Sequence, residues 1–196
     1  MVNYTFHQAD IAPEGARATL GSIAKELGFI PNLYAGMANV PALLQSYLEL
    51  SSAFEKSSLS PVERQVVLLT VSVRNSCEFC VAAHSWIARK MLHMPDDIIN
   101  DLRAGHLPAE YRLAALSAFT QAVVDKHGWV RQHPAFIQFL AEGFRQEQAL
   151  EVVLGVTQKI LSNYTNHLLD TPINKEFSAE AWSREHVGQD KGRTMV

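Results

Sequence analysis

Cys77 and Cys80 are the only cysteines in the chain, and two residues separate them. They open the run Cys77-Glu78-Phe79-Cys80-Val81-Ala82-Ala83-His84, a C-x-x-C-x-x-x-H pattern. On a helix, positions i, i+3 and i+7 lie on one face, so this spacing brings both sulfurs and the imidazole together. Chemistry that makes and breaks a disulfide needs that adjacency, and it needs a thiolate, because the thiol is a poor nucleophile. Two influences favour different sulfurs. The helix N-terminus, with its partial positive charge and unpaired N–H groups, favours Cys77. His84, four residues after Cys80, can take its proton or stabilise its thiolate. Either influence brings a thiol from its ordinary pKa near ~8.5 toward neutrality, and the sequence does not rank them.

Other readings of the pair are a structural metal site and two inert buried thiols. Zinc takes four ligands, and no second C-x-x-C or H-x-x-x-H completes a set. A secreted disulfide scaffold spreads more cysteines along the chain, so a tight pair in a cytosolic chain reads as redox or metal chemistry instead. The N-terminus lacks a basic stretch followed by an apolar core, so it is not read as a secretory signal, and a cytoplasmic location is expected. The longest apolar stretch, residues 66–73, is interrupted by Thr70 and Ser72. It falls far short of the ~20 residues of a membrane span. The formal net charge is −3 with no run of Lys or Arg, which argues against nucleic acid as a partner. At 196 residues, 47% of them hydrophobic and 19% charged, the chain can bury a core without a disulfide framework.

The elements that position these residues read as helix after helix, punctuated by Pro and Gly. The pattern predicts helices over residues 13–27, 33–38, 41–55, 61–73, 77–92, 95–104, 108–126, 134–142 and 146–169. Ser60-Pro61-Val62-Glu63 supplies an N-cap, a proline at N1 and a glutamate at N3. The helix that follows is apolar nearly all round and is expected at the centre of the core. With no long linker, residues 1–196 are read as one all-α domain, a multi-helix bundle with a redox core near residues 60–92. The tail, residues 176–196, is read as peripheral, with a turn or two ending near Gly188 and a frayed end beyond. If the helices on either side of Asn75 form an antiparallel hairpin, Glu63 falls about one turn past His84 at ~1.5 Å per residue. A long side chain or one water would bridge that gap, although Glu63 equally fits a capping box with Ser60.

At these residues the sequence resembles the alkylhydroperoxidase D-like branch of the carboxymuconolactone decarboxylase superfamily, and its uncharacterised peroxidase-related members. The likeness is carried by Glu63 with the run Asn75-Ser76-Cys77-Glu78-Phe79-Cys80-Val81-Ala82-Ala83-His84. The flanks Gly28-Phe29-Ile30-Pro31-Asn32 and Leu161-Ser162-Asn163-Tyr164-Thr165-Asn166-His167 extend it over about residues 15–175. The resemblance implies an all-helical fold, assembly into trimers or hexamers, and peroxide reduction without haem, flavin or another cofactor. It assigns attack on the hydroperoxide to Cys80, which becomes a sulfenic acid, and resolution to a disulfide to Cys77. His84 and Glu63 would form the proton relay, and an external thiol, such as a dihydrolipoamide-type carrier, would re-reduce the pair. Phe79 stands where some members carry a histidine between the cysteines, which shortens the relay. The decarboxylase branch typically lacks the cysteine pair. The expected function is therefore a thiol-dependent peroxidase. The alternatives are a disulfide reductase or redox-sensing partner of another protein, and a helical interaction protein held by a structural metal.

Overall fold

The computed structural model describes residues 3–186, and among them every regular element is helical. In chain order these are α1 (Glu14–Leu27), α2 (Asn32–Met37), α3 (Pro41–Glu55), α4 (Pro61–Arg74), α5 (Glu78–Lys90), α6 (Asp96–Arg103), α7 (Tyr111–Asp125), α8 (Pro134–Ala141) and α9 (Gln146–Leu169). Two 3-10 helices, Lys175–Glu180 and Arg184–His186, follow. Proline opens most of the first helices: Pro13, Pro31 and Pro95 precede α1, α2 and α6, and Pro41, Pro61 and Pro134 are the first residues of α3, α4 and α8. At that position the missing N–H costs nothing and the fixed φ suits the helix. α1 stops at Gly28, whose φ of 79° a side chain would resist. α7 begins later than its sequence suggested, because the Glu110 carboxylate caps the backbone N–H groups of Arg112 and Leu113.

α4 is the central helix, packed on α5, α7 and α9. Its start is fixed by a capping box: Glu63 N donates to Ser60 Oγ at 3.2 Å, and Ser60 N donates to Glu63 Oε2 at 2.8 Å. From Gln65 to Val73 every side chain is buried. The chain then reverses within three residues. Asn75 closes α4, Ser76 takes a left-handed conformation at φ 55°, and Cys77 is extended as the N-cap of α5. Cys77 N donates back to Ser72 O at 2.9 Å, which ties the hairpin shut.

The buried side chains form two clusters. One surrounds α4, α7 and α8 and is rich in Phe119, Phe139 and Phe144. The other joins α1, α2 and α3 to the first turns of α5 and contains both cysteines. α9 runs along both. A Cβ built on Gly155 would lie 2.6 Å from Phe54 Cζ and 3.0 Å from Val67 Cγ1. Only glycine allows the α9 backbone so close to α3 and α4, and that approach carries Lys159, one turn further on, into the core.

The tail departs from its sequence reading. Two of its side chains, Phe177 and Trp182, are buried against the helices. The Phe177 ring lies 5.6 Å from Phe29, 6.0 Å from Phe79 and 5.6 Å from Trp86. Trp182 Nε1 donates to Arg103 O at 2.9 Å, and Glu180 pairs with Arg89 at 3.0 Å and Arg103 at 3.5 Å. Short 3-10 turns show no amphipathic period, so isolated aromatics do this packing with no pattern to announce it. The turn expected near Gly188 and the frayed end at residues 189–196 lie outside the described residues. Among the described residues no helix is long and apolar enough to cross a membrane.

Candidate active site

Cys77 caps α5 and Cys80 sits in its first turn, both free thiols with 1% of their surface exposed. One amide spans them: Asn166 Nδ2 lies 3.2 Å from Cys80 Sγ and 3.7 Å from Cys77 Sγ. Cys80 Sγ also lies 3.9 Å from Ser162 Oγ. These contacts separate the two thiols. The hydrogen bond Cys77 gives to Cys80, together with burial, pushes the Cys77 thiol up. Burial opposes ionisation of Cys80, but the Cys77 hydrogen bond, the charge of Lys159 and the Ser162 hydroxyl outweigh it and hold Cys80 below its ordinary value. The Cys77 hydrogen bond first, and then the Lys159 cation and the Ser162 hydroxyl from α9, select Cys80.

His84 lies a turn further along α5 and is 9% exposed. Gln65 Nε2 donates to the His84 backbone carbonyl at 2.7 Å and lies 3.0 Å from Nδ1. Lys159 Nζ lies 2.9 Å from Nε2. Burial first, and then the charge of Lys159, push the imidazole pKa well down, so His84 is neutral at physiological pH.

Glu63 is not at the imidazole, contrary to the sequence reading. One of its oxygens accepts from Ser60 N, and the other accepts from Arg112 Nε at 2.9 Å. Arg112 in turn lies over the Phe144 ring, 3.7 Å from its centroid. The reason is rotation about α4. A step of two residues turns the side chain by roughly 200°, so Glu63 reaches α7 while Gln65 meets α5. The position expected for a carboxylate is held by a neutral amide.

Cys80 forms part of the wall of an apolar cavity of about 330 Å³. Its deep end is built by Tyr47, Cys80, His84 and Lys159, its walls include Phe29, Phe79, Trp86 and Phe177, and its rim carries the exposed Leu27 and Met91. A second cavity of about 510 Å³ meets the first at Tyr34, Tyr47, His84 and Ile87. It is more polar, with Ser51, Glu55, Arg64, Gln65 and Gln158 in its lining. Among the described residues no three His, Cys, Asp or Glu side chains converge to hold a metal.

The structure thus joins Cys77 and Cys80 through Asn166, sets His84 beside Cys80 in the same cavity lining, leaves Glu63 apart, and adds Gln65, Lys159, Ser162 and Asn166. The last three share a buried face of α9. Their signal in the sequence is a run of polar residues at helical spacing, which by itself reads as a solvated face.

The carboxymuconolactone decarboxylase family model matches residues 39–123, a span that contains α4, α5 and both cysteines. The sequence has no match among curated proteins. Among solved structures, the chain is similar to an alkylhydroperoxidase AhpD core protein, described as an uncharacterized peroxidase-related protein, from Ralstonia eutropha. The TM-score is 0.77 at 23% identity, covering 89% of this chain and 93% of that one. It is also similar to an uncharacterized peroxidase-related protein from a Silicibacter species, with TM-score 0.74 at 18% identity over 88% and 93% of the two chains. A third likeness is to a cysteine-to-alanine variant of the debrominase Bmp8 in complex with 2,3,4-tribromopyrrole, with TM-score 0.69 at 17% identity over 92% and 95%. At these identities the likenesses show the fold. The chain therefore matches the carboxymuconolactone decarboxylase family model over residues 39–123 and has the fold of the alkylhydroperoxidase AhpD core protein it resembles.

Proposed function

We propose that this protein is a thiol-dependent peroxidase in which Cys80 attacks a hydroperoxide and Cys77 resolves the product. The observation that carries the reading is the position of Cys80: a thiol with lowered pKa at the deep end of an apolar cavity, sharing one amide donor with a second thiol. The Cys80 thiolate takes the distal oxygen of ROOH, the O–O bond breaks, and the alkoxide leaves as ROH after gaining a proton. Cys77 then displaces hydroxide from the Cys80 sulfenic acid, which leaves as water, and a disulfide forms. An external dithiol, of the dihydrolipoamide type by family resemblance, returns both cysteines to thiols by exchange. A reducing, cytoplasmic setting and assembly into trimers or hexamers belong to the same reading. Exposed apolar side chains such as Trp129, Ile137 and Leu150 support a self-associating surface.

Burial of both sulfurs weighs against a protein disulfide as substrate, since a folded partner cannot reach them. The likeness to a debrominase and the aromatic cavity wall support one second reading, reductive dehalogenation of a haloaromatic. There Cys80 takes the halogen, the ring carbon takes a proton, and Cys77 expels halide as the disulfide forms. The experiment is consumption of cumene hydroperoxide by the reduced enzyme. Wild type is expected to react over many turnovers with a dithiol present, Cys80→Ser not at all, and Cys77→Ser once. Equal rates for wild type and Cys80→Ser would remove the peroxidase reading, and bromide release from a bromopyrrole would install the second.

A further inference from the structure

Lys159 enters the core from the middle of α9 with 1% of its surface exposed. A buried ammonium needs a counter-charge, and among the described residues Lys159 makes no ion pair with a carboxylate. Its nearest nitrogen partner, His84 Nε2 at 2.9 Å, is a neutral ring. The ionisable groups around it come from four elements: Tyr34 of α2, Tyr47 of α3, Arg64 of α4, and Cys77, Cys80 and His84 at the start of α5. Glu26 of α1 and Glu55 of α3 line the outer parts of the two cavities. Burial raises both tyrosines and keeps them protonated. Cys80 lines the same cavity as Lys159, and among the described residues there it is the acid whose ionised form the surroundings favour. On the far side of His84, Gln158 donates through Nε2 to Ser51 Oγ at 3.1 Å, while its buried Oε1 has no partner. An unsatisfied acceptor in a polar cavity is a place for water.

We propose that Lys159 is the counter-charge of the Cys80 thiolate and the acid that protonates the leaving alkoxide. The proposal rests on the peroxidase reading for its second half only. The protons balance as follows. The Lys159 ammonium gives a proton to RO⁻ and becomes an amine. The amine takes the proton of the Cys77 thiol as Cys77 attacks, and returns it to the hydroxide that leaves Cys80, forming water. When the disulfide is re-reduced, the regenerated Cys80 thiol gives its proton to the amine and the ion pair is restored.

The test is the pH dependence of Cys80 alkylation by iodoacetamide, in the Cys77→Ser background so that one thiol reports. Lys159→Met is expected to move the midpoint up by at least one pH unit, slowing alkylation about ten-fold or more at pH values below the wild-type midpoint. Lys159→Arg is expected to restore the midpoint, because its charge is fixed. Beside an intact Cys77, it leaves peroxide turnover low, because a guanidinium does not release protons near neutrality. Lys159→Gln gives the same readout should Lys159→Met not fold, as checked by circular dichroism. An unchanged midpoint in either folded neutral variant overturns the proposal. A wild type that consumes no hydroperoxide, yet loses its low-pH reactivity on Lys159→Met, overturns the peroxidase reading and leaves the counter-charge standing.

Discussion

Asn166 meets Cys80 with its side-chain N–H at 3.2 Å and leaves its own buried carbonyl oxygen without a partner. That orientation suits a thiolate, which only accepts, and the same donor lies 3.7 Å from the resolving sulfur. A hydrogen bond to a charged group contributes about 1.5–3 kcal/mol. Asn166→Ala is therefore expected to slow the first step, attack on peroxide, by about ten-fold or more in single-turnover stopped flow. Asn166→Asp, which sets a negative charge against the thiolate, is expected to be slower still. A rate for Asn166→Ala within a factor of two of wild type would show that the amide only fills space.

Gln65 holds His84 through its backbone carbonyl and faces its ring at Nδ1. In an unfolded chain a histidine titrates near about 6.5, whereas in the fold burial and Lys159 hold it well lower. The unfolded state therefore binds a proton first, and the contribution of this group to stability is lost as pH falls from about 6.5 toward the folded value. Gln65→Glu places a carboxylate 3.0 Å from Nδ1, which raises the imidazole pKa. It also faces the His84 carbonyl with an oxygen instead of a donor, a loss of about 1–3 kcal/mol. The variant is expected to melt lower than wild type at neutral pH and to lose less stability on acidification. Thermal melts at several pH values check both signs, and a parallel shift of the two curves would refute the account.

Phe177 closes the apolar cavity from the tail, against Phe29, Phe79 and Trp86. Truncating a buried Phe costs roughly 3–5 kcal/mol, and less where the site opens to a cavity. Phe177→Ala is expected to lower the melting temperature by several degrees and to change kcat/KM for a bulky aryl hydroperoxide more than for hydrogen peroxide. Equal changes for the two substrates would place Phe177 outside the substrate path.

The architecture was largely legible because helix boundaries are local. Pro41, Pro61 and Pro134 start helices for reasons contained in the proline ring. The capping box of Ser60 and Glu63 needs only four residues in sequence. For the same reason the C-x-x-C-x-x-x-H run pointed to two cysteines and a histidine at the start of one helix, where the structure has Cys77 as the N-cap and Cys80 and His84 within α5. The site was legible only up to that helix. Glu63 was read as the partner of His84, and the box that marks it as a cap is what keeps it there, while Gln65 turns toward α5.

The amino-acid order alone thus determined the helices, their ends and the dithiol with its histidine, since each follows from contacts within a few residues. Which groups face that dithiol was decided by packing. Lys159, Ser162 and Asn166 lie on a helix whose polar spacing would suit a solvated surface, and they become the floor of a cavity because Gly155 lets α9 press against Phe54 and Val67. The burial that results sets the charge state of Cys80, Cys77 and His84. No local rule contains that information, because the dielectric around a side chain belongs to its neighbours in space.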